Sequence, residues 1–373
     1  MNVHRRQLIK AMLATGGMAV APRAVSAASP VRIGAPGRLN LMTDVAGLKI
    51  GLADDPGAYT GVTVILPDQR AACAVDVRGG GPGTRETDAL AAGNLVRSVD
   101  AIVLSGGSVY GLATADGVAG WLGAQGRGFS LIPKDGVPPS PIVPTAVLYD
   151  LANGGNKQWG TNPPYRRLGE QAVRYARTGP FALGTAGGGY GAGAGSLKGG
   201  LGSASFRTGD GMTVGALVCV NSLGSVVVPG TRNFWAGALE IDNEFGGLGA
   251  SSRSVYGEDW GEAKLNPGAR ANTTIACIAV DVRLDADELK RVAMMAQDGL
   301  ARAIRPIHSP FDGDVVFALS TAQKEIPGQN RELIIARLGS VAADTLARAV
   351  ARGVYAATLP HHRTGRTWHD LPA

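Results

Sequence analysis

Short apolar runs alternate with turn-rich and amphipathic stretches along most of this chain. Runs at 61–66, 73–77, 101–105, 213–220, 226–228, 274–282 and 315–320 are rich in Val, Ile, Leu and Ala and have the composition of buried strands. Between the last two lies a helical pattern. Leu289, Val292, Ala293, Ala296 and Leu300 share one face, Asp285 stands where an N-cap is needed, and Glu288 follows three residues later to complete a capping box. A second helix is predicted over 340–356. Strands separated by helices predict an α/β or α+β fold.

The segment from Thr273 onward is thus a β-α-β sequence. If its two strands pair in parallel, their N-terminal ends lie side by side. Thr273 opens the first strand and Asp312-Gly313-Asp314 opens the second, so a hydroxyl and two carboxylates about forty positions apart would meet at one end of a sheet.

With 45% apolar and 18% charged residues, a chain of 373 is ample for a buried core. No shift in composition marks a domain boundary and no repeat is visible, so residues 28–373 are expected to form one domain. The 55 glycines follow no Gly-X-Y period and form no low-complexity linker. Turns and close backbone approaches are their expected use.

Residues 1–27 read as an export signal of twin-arginine type. Arg5-Arg6 precede a mildly apolar stretch that ends at Val25-Ser26-Ala27, a small-residue cleavage site. Gly16, Gly17, Pro22 and Arg23 interrupt the stretch before it reaches the roughly 20 residues a bilayer span needs. An ordinary signal peptide or a basic membrane-surface helix would share these features. The expectation is a periplasmic mature chain without a membrane anchor. The same segment holds Arg5, Arg6, Lys10 and Arg23 and no acid, so its removal takes the formal charge from +6 to +2. No Lys/Arg run with interleaved aromatics remains, which argues against nucleic acid as a partner.

Cys73, Cys219 and Cys277 sit in apolar surroundings and are expected to be buried, inert thiols. An odd count without Cys-x-x-Cys argues against a disulfide framework, with one bridge left open in an oxidising compartment. Of five histidines only His361-His362 stand together, so no zinc-type cluster is visible and no metal or other cofactor is expected.

Asn272-Thr273-Thr274, preceded by Asn266-Pro267-Gly268-Ala269-Arg270-Ala271, admits three readings. It is formally a glycosylation sequon, which is at odds with a bacterial-type export signal. It also suits a turn leading into a buried strand. The third reading holds the Thr273 hydroxyl against its own preceding carbonyl. An N-to-O acyl shift then makes an ester, water hydrolyses it, and Thr273 emerges with a free α-amine. With an unperturbed pKa of about 8, that amine can serve as base for its own hydroxyl.

Further motifs bear on the choice. These are Arg78-Gly79-Gly80-Gly81-Pro82-Gly83-Thr84-Arg85-Glu86-Thr87-Asp88, Leu104-Ser105-Gly106-Gly107-Ser108-Val109-Tyr110-Gly111-Leu112, the block 142–150, Gly191-Ala192-Gly193-Ala194-Gly195, Lys198-Gly199-Gly200-Leu201-Gly202-Ser203-Ala204-Ser205, Asn221 and Asn272-Thr273-Thr274-Ile275. Together, from about 41 to 359, the chain resembles the family of self-cleaving hydrolases that includes D-aminopeptidase, β-peptidyl aminopeptidases and the endo-acting 6-aminohexanoate-oligomer hydrolase (a nylonase), and more distantly ornithine acetyltransferase. The resemblance implies a four-layer αββα sandwich of the N-terminal-nucleophile type. It implies scission between Asn272 and Thr273 into an α fragment, 28–272, and a β fragment, 273–373. It also implies that these heterodimers assemble into a homo-oligomer, a tetramer, acting on a small peptide or amide-oligomer substrate.

By the same resemblance Asn221 donates to the oxyanion, where losing one donor typically costs about 10²- to 10³-fold in rate. Asp312 and Asp314 match an acidic pair that orients and charge-stabilises the Thr273 ammonium, and Tyr149 and Lys198 align with site residues of the nylonase. Read without the family, Asn221 is equally a turn residue, Asp312-Gly313-Asp314 a hairpin turn, Lys198 a solvated lysine and Tyr149 a core residue. The spacing of further acids is wrong for a calcium loop. A phosphate loop is excluded because Lys198 is followed by Gly199 rather than Ser or Thr. The glycine-rich runs are expected to let backbone approach the substrate, with Gly106, Gly107 and Ser108 offering amide donors at a helix start.

One departure concerns substrate. Family members that grip a free amino terminus carry a glutamate just before the Tyr149 region, where this chain reads Ala146-Val147-Leu148-Tyr149. A buried cation site without its carboxylate binds ammonium poorly. Threonine at 273 and Asp-Gly-Asp downstream lean the reading toward the nylonase branch. The expectation is an autoprocessing amide hydrolase acting through Thr273 on short peptides or β- and ω-amino acid amides, 6-aminohexanoate oligomers among them. An aminopeptidase proper, an N-acyltransferase and a non-catalytic exported binding protein stay open as alternatives.

Overall fold

The computed structural model describes residues 33–91, 93–264, 272–326, 330–360 and 363–372. The expected export signal at 1–27, the 266–271 loop and the His361-His362 pair lie outside the described residues. Strands of three residues or more are β1 Leu48–Asp55, β2 Thr60–Pro67, β3 Ala71–Val77, β4 Ile102–Ser105, β5 Thr145–Val147, β6 Gly200–Thr208, β7 Thr213–Asn221, β8 Thr273–Val282 and β9 Val315–Lys324. The α-helices are α1 Thr114–Ala124, α2 Tyr165–Arg174, α3 Ala286–Ala303 and α4 Arg331–Tyr355. One sheet runs β1-β2-β4-β5 and ends on the short strand Thr84–Arg85. The other runs β6-β7-β8-β9-β3, with Gly34–Ala35 and Ser98–Val99 at its edges.

Side-chain alternation turns these strands into layers. In β8, Ala276, Ile278, Val280 and Val282 face outward into a core shared with Leu289 and Val292 of α3 and Leu346 and Val350 of α4. The intervening Ile275, Cys277 and Ala279 face inward and meet Ile65, Ile102 and Leu104 of the opposite sheet. That sheet sends Val62, Val64 and Val103 the other way, against Val118 and Leu122 of α1 and Leu168 and Val173 of α2. Helices, sheet, sheet and helices therefore stack as the expected αββα sandwich. Because both faces of both sheets are covered, strands such as β8 are apolar and buried throughout rather than alternately polar.

Helix α3 begins on the predicted capping box. Asp285 accepts from the Glu288 amide at 2.9 Å, and Glu288 accepts in return from the Asp285 amide at 2.9 Å. Helix α4 starts earlier than 340, at a cap in which Asn330 Oδ1 accepts from the Leu333 amide at 3.0 Å. The expected strand at 226–228 is corrected: Val226 and Val227 are buried in the outer core, but their backbone makes only an isolated bridge, Val227 to Phe234. All three cysteines are buried and free, with burial pushing each thiol's pKa up. Among the described residues no helix is long and apolar enough to cross a membrane.

Candidate active site

The β-α-β segment does pair in parallel, with Ile275 opposite Val315, Ala276 opposite Val316 and so on along β8 and β9. On its other side β8 pairs antiparallel with β7, and the end rung of that ladder is Asn221 opposite Thr273. Strand order alone therefore gathers the start of β8, the end of β7 and the residues leading into β9.

Thr273 is 3% exposed, and its hydroxyl donates to the carbonyl oxygen of Asn272, the residue before it. Asp314 is fully buried. Its Oδ1 accepts from the Thr274 amide at 2.8 Å, and its Oδ2 accepts from the His308 amide at 3.1 Å and lies 2.9 Å from His308 Nδ1. Asp312 is equally buried, taking the Leu223 amide at 3.1 Å and the Ser309 hydroxyl at 2.5 Å. Burial, and then the Asp314 charge, raise the Asp312 pKa. Gly313 between them lets the hydroxyl in, because a Cβ there would stand 2.8 Å from Thr273 Oγ1 and 2.6 Å from Gly81 O.

On the β7 side, Asn221 Oδ1 accepts from the Gly193 amide at 2.9 Å and Nδ2 donates to the Tyr149 carbonyl at 3.0 Å. Tyr149 thus meets the site through its main chain. Gly193 is the bridge partner of Lys198. The Lys198 amine is buried and donates to the carbonyls of Gly189, Ala192 and Gly199 at 3.2, 3.0 and 2.7 Å. With no carboxylate in contact, desolvation pulls its pKa down to about 7. Lys198 is therefore not a solvated lysine.

Two expectations are corrected. The amides of Gly106, Gly107 and Ser108 do not point to a vacant acceptor position: they donate to Gly61 O at 2.9 Å, Asp150 Oδ1 at 2.8 Å and Leu148 O at 2.9 Å. Those bonds fix the segment leading to Tyr149 rather than a ligand. Likewise the Gly79-Gly80-Gly81 run lies against the 309–314 segment. Its Gly81 amide donates to Asp312 O at 2.7 Å, and a Cβ on Gly79 would come within 2.2 Å of Asp314 N.

Two participants carried no sequence signal. His308 contacts Asp314 as described. Lys264 reaches Asn272 Oδ1 with its amine at 2.8 Å, and burial pulls its pKa down to about 8 against the opposing field of Asp312. Among the described residues no group of three or more His, Cys, Asp or Glu is placed to hold a metal ion.

The Thr273 hydroxyl thus lies buried against its own preceding carbonyl, in an αββα sandwich. Residues 40–368 match peptidase family S58, and the chain belongs to that family. It is a hydrolase of peptide or amide bonds. It is 42% identical over 333 residues to an uncharacterized aminopeptidase of Mycobacterium tuberculosis, covering 85% of this chain and 94% of the relative. It is 31% identical over 364 residues to the 6-aminohexanoate-oligomer endohydrolase of a Kocuria species, covering 90% and 95%. The fold is that of the L-aminopeptidase D-Ala-esterase/amidase of Ochrobactrum anthropi, described as a variant of the Ntn-hydrolase fold. The TM-score is 0.61 over 87% of this chain and 88% of that one, at 22% identity.

Proposed function

We propose that this protein cuts its own chain between Asn272 and Thr273 and then uses Thr273 as the nucleophile of an amide hydrolase. The observation that carries this reading is the Thr273 hydroxyl on the Asn272 carbonyl, at the head of a central strand, with Asn221 across the ladder and Asp314 holding the following amide. Attack of Oγ1 on the Asn272 carbonyl carbon and departure of the Thr273 nitrogen moves the acyl group from N to O. The hydroxyl proton passes to the new amine. Water then cleaves the ester, leaving a carboxyl group on Asn272 and a free amino terminus on Thr273. That amine accepts the hydroxyl proton in each later turnover. Asn221 supports the oxyanion, an acyl-enzyme forms as the proton moves to the leaving amine, and water releases it. Strands β8 and β9 lie between β7 and β3 of the other fragment, so the two pieces stay together after scission. Assembly of such pairs into a homo-oligomer is proposed on the family resemblance alone. With the export signal read at 1–27, the enzyme works in the periplasm.

The substrate reading is an internal amide of a short peptide or ω-amino acid oligomer. Val147 and Leu148 are apolar and buried, Ala146 is fully buried, and the nearby Asp150 carboxylate is engaged by the Thr60 hydroxyl at 2.6 Å and the Gly107 amide at 2.8 Å. None of these offers a carboxylate to a substrate ammonium. An aminopeptidase is the second reading, favoured by the 42% identity to the mycobacterial aminopeptidase. Assays on peptides and 6-aminohexanoate oligomers with free and acetylated amino termini separate the two. Cleavage of both forms supports the internal-amide reading, and loss of activity on acetylation supports the aminopeptidase.

A further inference from the structure

Resting on the self-cleavage reading above, we propose that Lys264 is a positioning residue for that cleavage: it grips the Asn272 side chain and so holds the scissile carbonyl under the Thr273 hydroxyl. The contact is Nζ to Oδ1 at 2.8 Å. Asn272 is fully buried, and its Nδ2 has no hydrogen-bond partner among the described residues, so its side chain is held at the oxygen end by this lysine. Lys264 is itself fixed to the catalytic turn. Its amide donates to Leu223 O at 3.0 Å, and the Leu223 amide in turn donates to Asp312 Oδ1 at 3.1 Å. One short chain of bonds therefore ties the residue before the scissile bond to the turn that follows Asn221.

Placing a lysine amine here is costly, because desolvation disfavours its charge and a side-chain amide is weak compensation. An apolar side chain of the same length would fill the space at lower cost. The amine does what an apolar group cannot: it orients the side-chain amide of the same residue whose main-chain carbonyl is to be attacked, three bonds away. Hydrolysis then gives Asn272 an α-carboxyl group beside a cation, with Asp312 the other charged group acting on that amine.

The test follows conversion of newly synthesised chain into two fragments, by intact mass against time. Lys264→Met keeps length and removes the bond. It is expected to slow conversion on the order of 10- to 100-fold, the scale on which displacement by about 1 Å reduces a rate. The same substitution on a Thr273→Ala background, which cannot cut, reports folding separately through its melting temperature. Lys264→Ala supplemented with ethylamine is expected to regain conversion in proportion to added amine, whereas ethanol restores nothing. A folded Lys264→Met chain that converts within about threefold of wild type, or a rescue equal for amine and alcohol, overturns the proposal. If Lys264→Met does not fold, Asn272→Ala removes the bond from the other side, and conversion at the wild-type rate overturns the proposal equally. A wild type that never converts defeats the self-cleavage reading itself, a distinct outcome.

Discussion

Asn221 and Thr273 occupy the same end rung of the β7–β8 ladder, so the last residue of one strand and the first of the next face each other across the sheet. The Asn221 side chain is braced from two directions, by the Gly193 amide and the Tyr149 carbonyl, and its position relative to Thr273 is set by backbone pairing rather than by loop conformation. In the proposed reaction Asn221 donates to the oxyanion, and a donor preorganised in this way lowers the barrier because it need not reorient as charge develops.

Asn221→Ala is therefore expected to lower kcat on short amide substrates by about 10²- to 10³-fold with a smaller change in KM. Steady-state kinetics on the fragment pair check this. A loss confined to KM would assign Asn221 to ground-state binding.

Gly313→Ala places a methyl group 2.8 Å from Thr273 Oγ1 and 2.6 Å from Gly81 O, closer than unstrained carbon contacts allow. Either the hydroxyl or the loop under it must move. Since a displacement near 1 Å costs about 100-fold in rate, conversion of the intact chain to fragments is expected to slow by at least about tenfold. Timed gel electrophoresis reads the rate, and wild-type conversion would show that the loop yields freely.

Burial depresses the Lys198 amine from its ordinary 10.5 to about 7. Between those values the unfolded chain binds the extra proton, so the stability of the wild type rises with pH across the window, and the penalty of the buried cation is fully present below about 7. Lys198→Met has no such group and no such slope. On a Thr273→Ala background, the stability advantage of the Met variant is expected to shrink by on the order of a few kcal/mol between about pH 6 and about pH 10. Chemical denaturation at both pH values measures it. A difference that does not change with pH would mean that Lys198 keeps an ordinary pKa in the folded chain.

Much of the site's frame was legible because it depends on local rules. The continuous apolar runs at 274–282 and 315–320 and the Asp285/Glu288 cap define β8, α3 and β9, and parallel pairing then brings Thr273 to Asp312 and Asp314. Helices α1 and α2 were missed for a physical reason. Helix α1 carries glycines at 117, 120 and 123, poor helix formers, and it forms because it crosses α2 closely. A Cβ on Gly117 would lie 2.0 Å from Arg166 O, and one on Gly169 2.2 Å from Thr114 O. Strand β6 hid in the same way, its glycines 200 and 202 packing against the carbonyls of Gly353 and Ala349 in α4. Lys264 and His308 were invisible because contacts made only on folding place them at the site, and flanking residues do not record such contacts.

Intact-mass spectrometry of the purified wild type beside Thr273→Ala tests the central claim most directly. The account predicts two wild-type fragments that co-elute under native conditions, the smaller beginning at Thr273, with masses summing to the uncut chain plus one water, and a single uncut chain for the variant. A folded wild type that stays whole, or a Thr273→Ala chain that still divides at the same bond, would contradict it.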